Sequence, residues 1–180
     1  MKHRLAVLCA VTAAGCGGVP AHHPGRRRSS RVAQAQAAHE YPSPAPGKQR
    51  VSGASRSPSA AVAAFASAYI NWTAGTISND MRDLAARSIG QARAATQLAA
   101  AQTAGDYELR RDGIGNTGSV EAVAPLADRP GEYVVVTREL TTATATSAYQ
   151  DLQPAWHVAV VTVSQIGRGR WVVSGWEPQS

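Results

Sequence analysis

Cysteine is scarce in this chain and absent after residue 16: Cys9 and Cys16 are the two it holds. Downstream of them a disulfide framework and a cysteine-based metal site are excluded. Histidine is nearly as rare there. After residue 57 His157 stands alone, and a zinc site needs at least three suitable ligands, so neither metal nor cofactor is expected. Aromatic residues make up only 6% of the chain, with a single Phe, so the four Trp must supply much of the large apolar area. No apolar run reaches the length of about 20 residues that crosses a bilayer. Positive charge is also missing where a nucleic-acid-binding domain would need it. Between residues 17 and 57 seven basic residues face Glu40 alone, whereas from Pro58 onward nine Arg meet eleven Asp and Glu. The excess of positive charge therefore belongs to the first 57 residues, and no nucleic-acid partner is expected.

What is present begins with a leader. Lys2, His3 and Arg4 form a positive start, and Leu5 to Ala14 is a short apolar run, the pattern of an export signal. Ala13-Ala14-Gly15-Cys16 follows. It resembles the lipobox of bacterial lipoproteins, with Ala13 where that family usually has Leu. The resemblance implies that residues 1–16 form a lipoprotein signal, that Cys16 receives diacylglycerol, and that the chain is displayed on the outer face of the cytoplasmic membrane. Acyl chains gain about 0.8 kcal/mol per buried methylene, so several together anchor stably. An ordinary signal peptide cleaved nearby, with Cys16 incidental, is the alternative.

Residues 17–57 are rich in Pro, Ser, Gly, Ala and Arg, including Pro42-Ser43-Pro44-Ala45-Pro46-Gly47. They show no sustained helix or strand period, so a disordered basic tether is expected, extended through its Pro segment. Arg26, Arg27 and Arg28 either lie on anionic headgroups, at about 1 kcal/mol each, or stay solvated. They follow the apolar run, which excludes a twin-arginine export signal. His22-His23 reads as a solvated pair.

The domain expected over residues 58–180 opens with Ser57-Pro58, an N-cap followed by Pro at the first helical position. Val62, Phe65, Ala66, Tyr69 and Ile70 recur at helical spacing, predicting a helix that ends near Gly75. Ile77, Met81, Leu84, Ala85 and Ser88 share the face of a second helix, and an Ala-rich third runs from Gly90 to about Ala104. Strands follow. Tyr107 to Arg111 reads as a short one. In Ser119 to Pro125, Val120, Ala122 and Ala124 alternate against Glu121 and Val123. Glu132 to Thr141 is dense in β-formers, and His157 to Ile166 is apolar on both faces, as a central strand would be. Gly167-Arg168-Gly169 predicts a hairpin turn into Arg170 to Trp176.

Helices followed by consecutive antiparallel strands give an α+β class, with the helices on one face of the sheet. This order resembles the nuclear transport factor 2-like, or cystatin-like, fold, most of all at Tyr69 to Trp72, Leu84 to Arg93 and Gly169-Arg170-Trp171-Val172-Val173. That fold implies a curved sheet wrapped on the first helix as a cone with a central cavity. Its enzymes, such as ketosteroid isomerase and SnoaL-like cyclases, line the cone with Asp, His or Tyr, for which Asp106, Asp112, Tyr133, Glu139 and His157 are the available groups. A lone His at a strand start, as His157 is between Trp156 and Val158, is more often a satisfied structural residue.

Gly113-Ile114-Gly115-Asn116-Thr117-Gly118 matches G-x-G-x-x-G, but polar Glu108 to Asp112 precedes it and a strand follows, so it reads as a turn and not a dinucleotide site. The sequon Asn71-Trp72-Thr73 falls inside a predicted helix and is discounted. Thr141 to Ser147 is an edge strand or a connection. Of Trp72, Trp156, Trp171 and Trp176, some must fill the core. Any left exposed near strand ends would join Tyr133 and His157 in a cavity or partner surface.

Two membrane-associated groups of this fold are similar to the chain: TcpC-like assembly domains of conjugative type IV secretion systems, and Mce-associated proteins, which place helices before a sheet ending in a Trp-Val-Val strand. Both usually carry a transmembrane anchor. They imply a non-enzymatic interaction domain assisting an envelope or conjugative transfer complex, with an envelope protein as partner and a homo-oligomer as an open possibility. A carrier of a small apolar ligand in the cone and a SnoaL-like enzyme are the alternatives.

Overall fold

In the computed structural model, which describes residues 50–179, the first helix begins where Ser57-Pro58 places it. The Ser57 hydroxyl accepts a hydrogen bond from the Ala60 N–H at 3.2 Å, satisfying one of the free donors of the first turn. This helix, α1 (Pro58–Ile70), buries Ala61, Val62, Phe65, Ala66 and Ile70. Cys16, the Arg26-Arg27-Arg28 run and residues 17–49 of the expected tether lie outside the described residues. Residues 50–57 do not hang free as the tether reading expects: Ser55 exchanges backbone hydrogen bonds with Trp171, at 2.9 and 2.8 Å, and the Ser52 N–H donates to the Ala86 carbonyl at 3.1 Å.

The first helix ends at Ile70, short of the predicted Gly75. Asn71 is the reason. Its side-chain amide donates to the Ser67 carbonyl at 2.8 Å and to the Gly118 carbonyl at 3.1 Å, and its Oδ1 accepts from the Gly118 N–H at 3.0 Å. One side chain thus closes the helix and ties it to the sheet, a local competition with helical bonding that Asn makes easily. Trp72, expected in the helix, instead lies with Thr73 in β1 (Trp72–Thr73).

The second helix, α2 (Ile77–Ala86), buries Ile77, Met81, Leu84 and Ala85, and Ser88 is buried just beyond it. The third, α3 (Gly90–Ala104), presents Ala92, Thr96 and Ala100 at four-residue spacing. Small residues on that stripe bring α3 close to α2, and the Ser78 hydroxyl donates to the Ala100 carbonyl at 3.0 Å. Tyr107 to Arg111 is not a strand but part of a short helix, α4 (Tyr107–Asp112). Asp106 caps it through the Leu109 N–H at 2.9 Å, and Gly113, at φ 63°, closes it in the left-handed conformation that favours glycine.

Four further strands complete the domain: β2 (Gly115–Pro125), β3 (Glu132–Thr142), β4 (Ala155–Gly167) and β5 (Arg170–Gln179). They form one antiparallel five-stranded sheet in chain order, β1 through β5, strongly curled into a half-barrel around the helices. Register shifts at Val120/Ala122, Thr162/Val163 and Gln165/Gly167 help it curl, since bulges sharpen local twist. The hairpin predicted after Gly167 is present, with Gly167 paired to Arg170. Two expectations change. The central strand is β3, and β4 lies between it and β5. Val120, Ala122 and Ala124 do not share a face, because the shift at Glu121 turns Val120 inward and leaves Ala122 and Ala124 exposed.

The core lies between the helices and the concave face of the sheet. Val135, Ala159, Val161, Val163, Val173 and Trp176 meet Val62, Phe65, Ala66 and Met81 there. Trp176, only 6% exposed, sits 5.2 Å from the Phe65 ring and 4.9 Å from the Tyr69 ring. Two ion pairs occur among the described residues, Arg111–Asp112 and Arg129–Glu132, both with an exposed Arg. Pairs of that kind contribute little, so apolar burial holds the fold.

Candidate functional site: a half-open cavity in the half-barrel

β3 alternates, so Val135, Thr137, Glu139 and Thr141 all face the concavity. Val135 belongs to the core, and Thr137 is buried beside it. Beyond the end of the packed aromatic cluster, Glu139 and Thr141 floor a half-open cavity of about 470 Å³. Its apolar wall comes from Trp72 on β1, Ile77 and Met81 on α2, and Leu152 in the connection before β4. Tyr69 closes it on the α1 side, and His157 stands at its edge on β4, opposite Thr137 across the strands.

The floor is a connected hydrogen-bond network centred on Glu139. The Thr137 hydroxyl donates to Glu139 Oε1 at 2.6 Å. Asn116 Nδ2 donates to Glu139 Oε2 at 2.8 Å and to the Ile70 carbonyl at 2.8 Å. The Thr141 hydroxyl in turn donates to Asn116 Oδ1 at 3.1 Å. Each member is oriented by another, which fixes the carboxylate rather than leaving it to sample rotamers. Glu139 is the single carboxylate among the lining residues, and no Lys or Arg lines the cavity.

Tyr69 joins this electrostatic setting. Burial holds its hydroxyl above the ordinary phenol value, the nearby Trp176 indole N–H draws it partly back, and the Glu139 carboxylate adds to the rise. That indole N–H is buried without a hydrogen bond of good geometry among the described residues, so it acts on Tyr69 by proximity.

The six candidates for a cavity or partner surface are divided among three places. Trp72 and His157 line the cavity. Tyr133, Trp171 and Trp176 pack in or against the core, and Trp171 also pairs its backbone with Ser55. Trp156 is 62% exposed on the outer face of the sheet, with the Arg138 guanidinium 5.8 Å from its ring centre. Of the acidic groups considered for an enzyme, Asp106 caps α4 and Asp112 pairs with Arg111 at 2.8 Å, so only Glu139 reaches the cone. No group of three or more His, Cys, Asp or Glu converges among the described residues in a way that would hold a metal.

Asn116, Thr137, Thr141, Tyr69 and Met81 were not singled out as site residues. The signal was available for two of them: Thr137, Glu139 and Thr141 fall at two-residue spacing in a strand otherwise dense in Val, marking a polar patch on one face. Asn116 was hidden inside the glycine motif. Gly113 ends α4, while Gly115 and Gly118 lie in β2, so the motif is part turn and part strand. No family model, curated protein or solved structure matches this chain.

Proposed function

We propose that the chain is a lipid-anchored, extracytoplasmic interaction domain of nuclear transport factor 2-like build, which assists an envelope or conjugative transfer complex. One observation carries the reading. The outer face of the sheet carries an apolar patch, bordered by Arg138, Glu177 and Gln179, that no described element covers. Val134 and Val136 on β3 stand opposite Val160 and Val158 on β4, and Ala122, Ala124 and Trp156 extend the patch. None of these side chains joins the core, which draws on the concave face. Val158 is 39% exposed and Trp156 more so, and contiguous apolar surface of this kind marks an association site. The anchor at Cys16 and the basic tether would keep the domain at the membrane surface.

The test uses the full-length lipidated chain in its own host, crosslinked in intact cells. Secretion-channel or other envelope-complex components should be recovered with the wild-type chain and lost with Val158→Arg, whose thermal unfolding should be unchanged. Reproducible absence of such components, or their full retention by the variant, would overturn the reading. The cavity favours a second role in the same domain, the binding of a small ligand in the cone: its volume of about 470 Å³ lies within the range of small-molecule sites, about 300–1,000 Å³.

A further inference from the structure

We propose that the ligand of the cone is a small organic ammonium compound, its apolar body against Trp72, Ile77 and Met81 and its charged nitrogen on Glu139. The assignment rests on the cone being a ligand site and names the chemistry that site selects.

Three observations converge on a cation. First, Glu139 has acceptor capacity to spare. A carboxylate offers about four lone-pair positions, and Thr137 and Asn116 fill one on each oxygen. Second, both of those donors are neutral. No Lys or Arg lines the cavity, and His157, the one other basic group in its lining, makes no hydrogen bond to the carboxylate. A charge in a partly dehydrated pocket is stabilised by an opposite charge that also hydrogen-bonds to it, and a ligand ammonium supplies both. Third, the walls beside it include the rings of Tyr69 and Trp72, whose faces attract cations and repel anions.

The same features exclude other ligand classes. A carboxylate or phosphate entering the cone would meet the Glu139 carboxylate with no Lys or Arg among the lining residues to receive it, His157 at the edge being the one lining group able to take up a positive charge. A purely apolar molecule would cover Glu139, Asn116 and Thr141 without replacing their contact with water, a desolvation cost that nothing repays. An amphipathic amine satisfies the polar floor and the apolar wall together. The network from Thr141 through Asn116 to Glu139 sets the acceptor before the ligand arrives, which lowers the ordering cost of binding.

The test is a probe series on the purified full-length chain, read by calorimetry and by Trp emission, since Trp72 lines the cavity. The probes are 2-phenylethylammonium, 2-phenylethanol and phenylacetate, alike in apolar body and different in charge. The ammonium should bind about tenfold more tightly than the alcohol, as a charge-assisted bond exceeds a neutral one, and phenylacetate should not bind. Glu139→Gln should remove the preference for the ammonium over the alcohol. Leu152→Arg places a positive charge at the mouth on a side chain already 47% exposed, so the fold should survive. It should weaken the ammonium several-fold more than the alcohol, since both lose the apolar contact of Leu152 and only the ammonium meets the added charge. Binding of all three probes alike would overturn the ammonium assignment while leaving the cone a ligand site. Binding of none would overturn both. Tighter binding of phenylacetate than of the ammonium would reverse the assigned charge.

Discussion

Replacing Gly118 by Ala tests the closest approach in the sheet. A Cβ built on Gly118 would lie 2.5 Å from the Arg138 carbonyl oxygen and 3.1 Å from Glu139 Cα and Cγ. The first contact is with backbone, so no side-chain rotation relieves it. β2 must move away from β3, and Asn71 holds β2 in place through both the N–H and the C=O of Gly118. Overpacking of this kind costs about 1–3 kcal/mol. The substitution also restricts the unfolded chain, which returns about 0.4–1 kcal/mol. The net loss should be about 1–2 kcal/mol, a fall in Tm of about 4–8 °C for a domain of this size. Gly105→Ala is the matched control. It sits at the C-cap of α3 with φ −103°, and an added Cβ meets nothing within 4 Å. Its Tm should be equal to or slightly above wild type. Calorimetric melting of both variants decides the matter: equal Tm values would show that the strands are not packed as closely at Gly118 as the distances state.

Three further outcomes follow from the same packing. Ser57→Ala removes the acceptor for the Ala60 N–H and should cost about 1 kcal/mol by urea unfolding. Val135→Ala empties two methyl groups from a fully buried position on the central strand and should cost about 2–3 kcal/mol, lowering the urea midpoint with the m value unchanged. Tyr69 holds its proton more tightly in the folded chain than at the ordinary phenol value of 10.0, so the folded state binds more protons than the unfolded state above that pH. Its contribution to stability is intact below pH 10 and declines as the pH rises through the folded value. Tyr69→Phe should flatten the alkaline loss of stability, and in wild type one of the five Tyr should ionise late by ultraviolet absorbance.

The helices and the last three strands were legible because their signals are local. Ser57-Pro58 states a helix start, Ile77, Met81 and Leu84 state a face, and Gly167-Arg168-Gly169 states a hairpin. The misreadings arose where a single side chain overrides the local pattern. Asn71 ends α1 by bonding to Gly118, 47 residues away, which no helical period reveals. Asp106 and Gly113 cap a turn of helix at Tyr107 to Asp112, where a short polar segment also fits a strand. β4 was placed at the sheet centre because both of its faces are apolar. An apolar face implies a cover, but not that the cover belongs to the same chain. The site was half legible: Glu139 and His157 stood among the candidates, whereas their company depended on strand register.

That register makes β3 the strand on which both proposed roles meet. Tyr133, Val135, Thr137, Glu139 and Thr141 point into the cone, and Val134, Val136, Arg138 and Leu140 point out. A one-residue slip would put Glu139 on the bare outer face and the valines in the cavity, so the pairing must be held firmly. With β4 it is continuous from Glu132–Thr162 to Glu139–Ala155. With β2 it is not, and the break is informative. Asn116 at the cavity floor and Val123 in the core both face inward, yet they are separated by an odd number of residues, which in an unbroken strand would set them on opposite faces. The extra residue at Glu121 reconciles them. One end of β2 can then present an amide to Glu139 while the other buries a valine against α1, and Ala122 and Ala124 are left to extend the outer apolar face. Polar floor, core and outer patch are therefore not three separate features. They meet on β2 through a single bulge, and deleting Glu121 should disturb the share of β2 in each of them together.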